Sequence, residues 1–209
     1  LLKPLLEQEP DNLELLYALG HARYVLGQFD KAKPPLKQLL ALTEGHPGAY
    51  TILGLIAKKT TGDRDEENSF YEQALQANPD HLLALVNLAS ALQDEGDYHR
   101  ARPLIERALT GDQSDPDYAI ALDLYGSNIG VIDENFFKEA SLHDQAARLA
   151  PEQPLFRANQ VIALISAGKL TEARAVFSRN RSALKDVPNF DLLKKLLEVF
   201  SKDLQHPYA

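Results

Sequence analysis

Histidines and carboxylates are the side chains in this chain with most scope for chemistry. The 209 residues include no cysteine, and so no thiolate ligand, disulfide or cysteine nucleophile. The six histidines, His21, His46, His81, His99, His143 and His206, are scattered, and no two stand at the i, i+3 or i+4 spacing with which a helix presents a ligand pair. His46, His81 and His99 adjoin expected turns, where a solvated side chain is the simplest reading. Hydrolysis, phosphate binding and dinucleotide binding leave local signatures, and G-x-S-x-G, H-E-x-x-H, a phosphate loop and G-x-G-x-x-G are all missing. The acidic run GDRDEEN, residues 62–68, lacks the alternating ligands, central glycine and final glutamate of a calcium loop. Its carboxylates suit the positive N-terminal end of a helix instead. The run GDQSDPDY, residues 111–118, reads as a turn followed by a helix cap from Asp115 before Pro116. The expectation is no catalytic residue, no metal and no cofactor.

The elements that would carry any site are helices. Composition is 44% hydrophobic and 25% charged, with Leu and Ala prominent and few β-branched runs. The stretch LLALVNLASALQDEGDYHRARPLIERALTGDQSD, residues 82–115, holds two apolar periodic segments separated by Glu95, Gly96 and Asp97. Leu85, Leu88, Ala89 and Leu92 recur at i, i+3, i+4, i+7, and Ala101, Ile105 and Ala108 form a matching stripe. This predicts a helix, a tight turn and a helix, each helix with one apolar face. The punctuation repeats: Gly27, Gly62, Gly96 and Gly168 lie 35, 34 and 72 residues apart. Pro10, Pro47, Pro79, Pro116, Pro151 and Pro188 are spaced 37, 32, 37, 35 and 37.

On these residues the chain resembles the tetratricopeptide repeat family. Its pattern of a large residue, Leu-Gly or Leu-Ala, an aromatic or Leu, and then alternating small and aromatic residues is met most fully by Leu85, Leu88, Ala89, Leu92, Gly96, Tyr98, Ala101, Ile105 and Ala108. Leu16, Leu19, Gly20, Gly27, Phe29, Ala32 and Leu36 supply it in the first repeat, and Gly168, Leu170, Ala173 and Phe177 in the fifth. The resemblance implies an all-α, right-handed α-α superhelix of about five helix-turn-helix repeats in a single repeat domain over 1–209. The repeats are expected at 13–46, 47–81, 82–115, 116–154 and 155–188, after a partial upstream repeat at 1–12 and before a capping helix at 189–205. LLKPLL, residues 1–6, reads as the end of an upstream second helix, so the native protein is expected to continue N-terminally. In the closing helix Leu192, Leu193, Leu196, Leu197 and Phe200 share one face. Two departures carry expectations: Gly54 and Gly62 are read as one residue closer than the pattern asks, predicting a locally irregular first helix, and VIDENFF after Gly126 and Gly130 predicts a distorted fourth turn.

In this family the first helices line a concave surface that holds peptides, so the resemblance implies a scaffold or adaptor that binds a polypeptide segment and is not an enzyme. The implied contact residues are Tyr17, His21, Tyr24, Val86, Asn87, Ser90, Asn159 and Ile162, with Asn87 and Asn159 as two rungs of an asparagine ladder. The cationic clamp of the chaperone-binding class is not assembled, because Glu14, His21, Ser90 and Asp94 stand in its places. The alternative is a non-catalytic repeat arm of a larger enzyme, of glycosyltransferase or sulfotransferase type. Homotypic assembly through an exposed end is a third reading. A formal charge of −8 disfavours nucleic acid. No apolar stretch approaches the roughly 20 residues of a membrane span, so a soluble protein is expected, with the cytoplasm slightly favoured.

Overall fold

The computed structural model describes residues 7–188 and 190–203, with the side chains of 200–203 left out. The expected helix at 1–6, Phe200 on the closing face and residues 204–205 of the expected cap lie outside it. Eleven helices and no strand occur among the described residues: α1 Leu13–Val25, α2 Phe29–Leu42, α3 Pro47–Thr60, α4 Arg64–Ala77, α5 Leu82–Asp94, α6 Tyr98–Ala108, α7 Pro116–Asp133, α8 Phe136–Leu149, α9 Pro154–Ser166, α10 Leu170–Leu184 and α11 Phe190–Asp203. They form two compact units, residues 1–91 and 92–209, the division falling inside α5.

Local chemistry sets the ends of these helices. Asn12 and Asp115 accept hydrogen bonds from Leu15 N (3.1 Å) and Asp117 N (2.9 Å), and Pro116 fills the first helical position of α7. Asp63 accepts from both Asp65 N and Glu66 N, and Asp65, Glu66 and Glu67 crowd the first turn of α4, so the run 62–68 is a helix start. His46 departs from expectation. Its Nδ1 accepts from Ala49 N (3.1 Å) and caps α3, so the ring is engaged instead of solvated.

Gly27, Gly96 and Gly168 take positive φ (68°, 83° and 72°) directly after first helices. The next residue in each case returns its N–H five residues back, Gln28 to Arg23, Asp97 to Leu92 and Lys169 to Leu164, all at 2.8 Å. This Schellman closure satisfies carbonyls that the helix end would leave unpaired. The other two turns differ. The irregularity expected in the second repeat is absent from α3, which runs unbroken; Gly54 and Gly62 are one residue further apart than Gly20 and Gly27, not closer, and the extra residue is absorbed in the turn, where Thr61 N and Gly62 N both bond Ala57 O. Helix α7 extends to Asp133, and the left-handed residue after it is Glu134, φ 50°.

In the first unit α1 packs on α2 and α3, and α3 on α2 and α4, around Leu16, Leu36, Leu39, Ile52, Leu53 and Ile56. In the second, each helix from α6 to α11 packs on the next, and α11 also covers α9, burying Leu193 and Leu197 with Val161, Leu164 and Phe177. Leu192 is half exposed, so the apolar face of α11 is narrower than its sequence suggests.

Candidate functional site

Side chains on the first helices of the repeats are the candidates, and each unit is described by itself. In the first unit the Tyr17 ring stacks 6.0 Å from His21 at 10° and lies 4.6 Å from His46. Gly48 opens the room for it, since a Cβ there would lie 2.7 Å from the Tyr17 hydroxyl. The result is a strip of three rings across α1 and the start of α3, with His21 exposed. Tyr24 is half-buried, tilted against Phe29 at 6.0 Å and packed on the core. Burial raises the pKa of both Tyr17 and Tyr24 and lowers that of His46, partly offset by its backbone hydrogen bond; the neutral ring keeps the lone pair that caps α3.

The remaining expected contacts are placed unequally. Val86 is only 2% exposed, Ser90 is half-buried, and Ile162 is 38% exposed. Neither asparagine stands idle. Asn87 Nδ2 donates to Leu83 O at 2.7 Å, and Asn159 Nδ2 donates to both oxygens of Asp123 at 3.1 and 3.0 Å.

That last contact opens onto a group absent from the sequence-based reading. Asp123 of α7 faces inward beside His143 of α8, with Oδ1 and Nδ1 2.6 Å apart. His143 Nε2 lies 3.5 Å from Glu139 Oε1, an ion-pair distance without hydrogen-bond geometry. The imidazole is 1% exposed. Burial opposes its charged form, but the hydrogen bond to Asp123 and the attraction of the Asp123 and Glu139 charges together outweigh that penalty and raise its pKa to about 9. His143 is therefore an imidazolium clamped by two carboxylates, and its burial keeps substrates away from both ring nitrogens.

The first unit holds a counterpart. Glu67 of α4 is buried, 3.0 Å from Arg64 Nη1, 3.6 Å from Lys58 Nζ, and accepts a 3.4 Å bond from the Tyr71 hydroxyl. Burial, followed by the Glu67 charge, pushes the Tyr71 pKa far upward. Glu67 and Glu139 occupy the places that Ala32, Ala101 and Ala173 hold in the other repeats, each with a ring four residues on. Gly54 and Gly126 face those rings: a Cβ would lie 2.5 Å from Tyr71 and 2.9 Å from His143. The replacement of Ala by Glu in these two repeats, each with glycine on the preceding helix, is the signal in the sequence that points to this group.

Among the described residues no cluster of His, Asp and Glu has the form of a metal site, and no helix is long and apolar enough to cross a membrane. Residues 62–123 match the tetratricopeptide repeat family. Over 89 residues the chain is 34% identical to the probable biofilm formation methyltransferase WspC of Pseudomonas aeruginosa, a match covering 43% of this chain and 21% of that protein. The chain spans between about a fifth and a third of the length of the curated relatives it matches. Among solved structures it is similar to YrrB, a TPR protein with an unusual peptide-binding site (TM-score 0.65, 14% identity, 93% of this chain and 97% of that one). It is also similar to yeast Tom70 (TM-score 0.71, 16% identity, 98% of this chain and 43% of that one).

Proposed function

From a chain that carries tetratricopeptide repeats, we propose a scaffold whose first helices hold a segment of another polypeptide, without catalysis of its own. The observation that carries this reading is the ring strip of His21, Tyr17 and His46. Stacked rings are rigid, bury much area for little lost entropy, and offer polar edges to a peptide backbone. Tyr24, Ser90, Asn87, Asn159 and Ile162 extend the same kind of surface, with Val86 as wall behind it. Asn87 keeps its carbonyl oxygen and a second N–H beyond the bond to Leu83 O, and Asn159, whose amide nitrogen faces both oxygens of Asp123, offers its carbonyl oxygen. The peptide-binding description of YrrB supports this reading by likeness of fold. A photo-crosslinking residue in place of His21 on α1, compared with one in place of the exposed Lys37 on α2, tests it in cell extract. Adducts concentrated at 21 are expected; equal or greater yield at 37 would refute the first-helix face.

A second reading, a repeat arm of a larger enzyme, is favoured by the likeness to WspC, in which the matched region is a minor part of a methyltransferase. In that case the repeats recruit a protein and the chemistry lies elsewhere. Sequencing the complete gene decides it: an adjoining methyltransferase domain supports the arm, and flanks made only of further repeats exclude it.

A further inference from the structure

The charge of this chain is divided very unevenly. Residues 169–209 hold eight Lys and Arg against five Asp and Glu, a net +3, while residues 1–168 hold 14 against 25, a net −11. Within the basic segment α10 and α11 border an open groove of about 250 Å³. Phe177 and Leu197 form its floor, each nearly buried, and Phe177 is fixed by a stack on Phe190 at 5.5 Å and 15°. Arg174 and Arg181 on α10 and Lys194 on α11 stand exposed around the mouth, with Glu198 as the single acid among the lining residues. Arg174 and Arg181 are seven residues apart and share a helix face.

From this arrangement we infer that the α10–α11 groove is a second docking site, for an acidic peptide segment that inserts one apolar side chain. The volume falls below the roughly 300–1,000 Å³ of ligand pockets, which suits a single side chain better than a cofactor. The apolar floor supplies an anchor position, and three cations at the rim complement carboxylates on either side of the anchor. The net negative charge of residues 1–168 disfavours such a peptide there on average. This site lies on a second helix and the closing helix, and it is independent of the first-helix reading above.

Random dodecapeptides displayed on phage, selected on the full chain and in parallel on the Arg181→Glu, Lys194→Glu double variant, test the inference. Peptides enriched on the natural chain alone should carry an excess of Asp and Glu with at least one large apolar residue. They should bind the double variant at least about tenfold more weakly, lose affinity between about 50 and 200 mM salt, and be unaffected by His21→Ala. Identical selections on the two proteins, or a differential set without acidic excess, would overturn the site. So would the absence of selected peptides together with sedimentation on phosphatidylserine vesicles that the double variant abolishes, which assigns the face to a membrane surface. If the double variant loses helical circular dichroism, Arg181→Gln alone serves with the same readouts.

Discussion

The imidazole of His143 sits between two carboxylates in a place where other repeats hold Leu36, Tyr71, Ile105 or Phe177, and that exchange has a consequence in pH. Its folded pKa of about 9 lies above the unfolded value of 6.5, so the folded state binds the proton more tightly. The stabilisation is complete below about pH 6.5 and is lost as pH rises through about 9. The shift corresponds to about 3 kcal/mol as an upper bound. The melting temperature of the natural chain should therefore fall between pH 7 and 9.5. In His143→Phe it should start lower, because two carboxylates lose their cation, and it should be flat over that window. Parallel curves for the two proteins would show that the ring is neutral in the fold. Glu67 makes a contrasting case. Its partners Lys58 and Arg64 are partly exposed and rehydrate when it is removed, and Ala is what three sister repeats hold at that place. The buried Tyr71 hydroxyl has no such recourse, so Glu67→Ala should cost about 1 to 3 kcal/mol, measured by urea denaturation.

Between elements, glycine does two separate jobs, and the sequence distinguishes them only in part. At Gly27, Gly96 and Gly168 it supplies a left-handed turn, and periodic spacing made those turns legible, along with both apolar stripes of the third repeat, which are buried throughout. Gly126 and Gly130 of α7 look like turn residues but lie inside a helix, where they make room for His143 and Glu139; the actual turn residue, Glu134, has nothing to announce it. For the same reason the fold was more legible than the site. Apolar periodicity reports buried stripes, whereas a charge at a buried position reads as a break in the stripe, so Asp123 and Glu139 give no signal in it and Glu67 reads only as a helix-start carboxylate. Asn87 and Asn159 were placed on half-exposed faces, but their internal hydrogen bonds depend on partners that no single-helix pattern contains. Close approach of helices gives its own prediction. A Cβ at Gly54 would stand 2.5 Å from a Tyr71 ring that Glu67 holds in place, so Gly54→Ala should cost about 1 to 3 kcal/mol despite improving helix propensity. Ala101, fully buried, should respond likewise to Ala101→Leu, and an unchanged melting temperature in both variants would contradict this account of helix contact.

Across the whole molecule the question is whether one polypeptide engages several repeats or each repeat acts alone. His21 belongs to the first unit and Ile162 to the second, and both are exposed, so replacing either with Ala removes surface and leaves the core untouched. Surface changes of this kind usually alter stability by less than about 0.5 kcal/mol. Tyr24 is different: it packs on Phe29 and the core, so Tyr24→Ala should lower the melting temperature along with any binding, which makes it a poor probe of contact. If a single extended segment is held, the same partner should lose about 1 kcal/mol or more of affinity from His21→Ala and again from Ile162→Ala, with melting temperatures unchanged. Added salt should have a modest effect, since these contacts rest on rings and an aliphatic side chain instead of ion pairs. Binding titrations of one crosslink-identified partner against both variants decide the matter. A partner weakened by one substitution and indifferent to the other occupies a single unit, and the extended mode then fails. A partner indifferent to both, on variants that remain folded, removes the first-helix face itself as the binding surface.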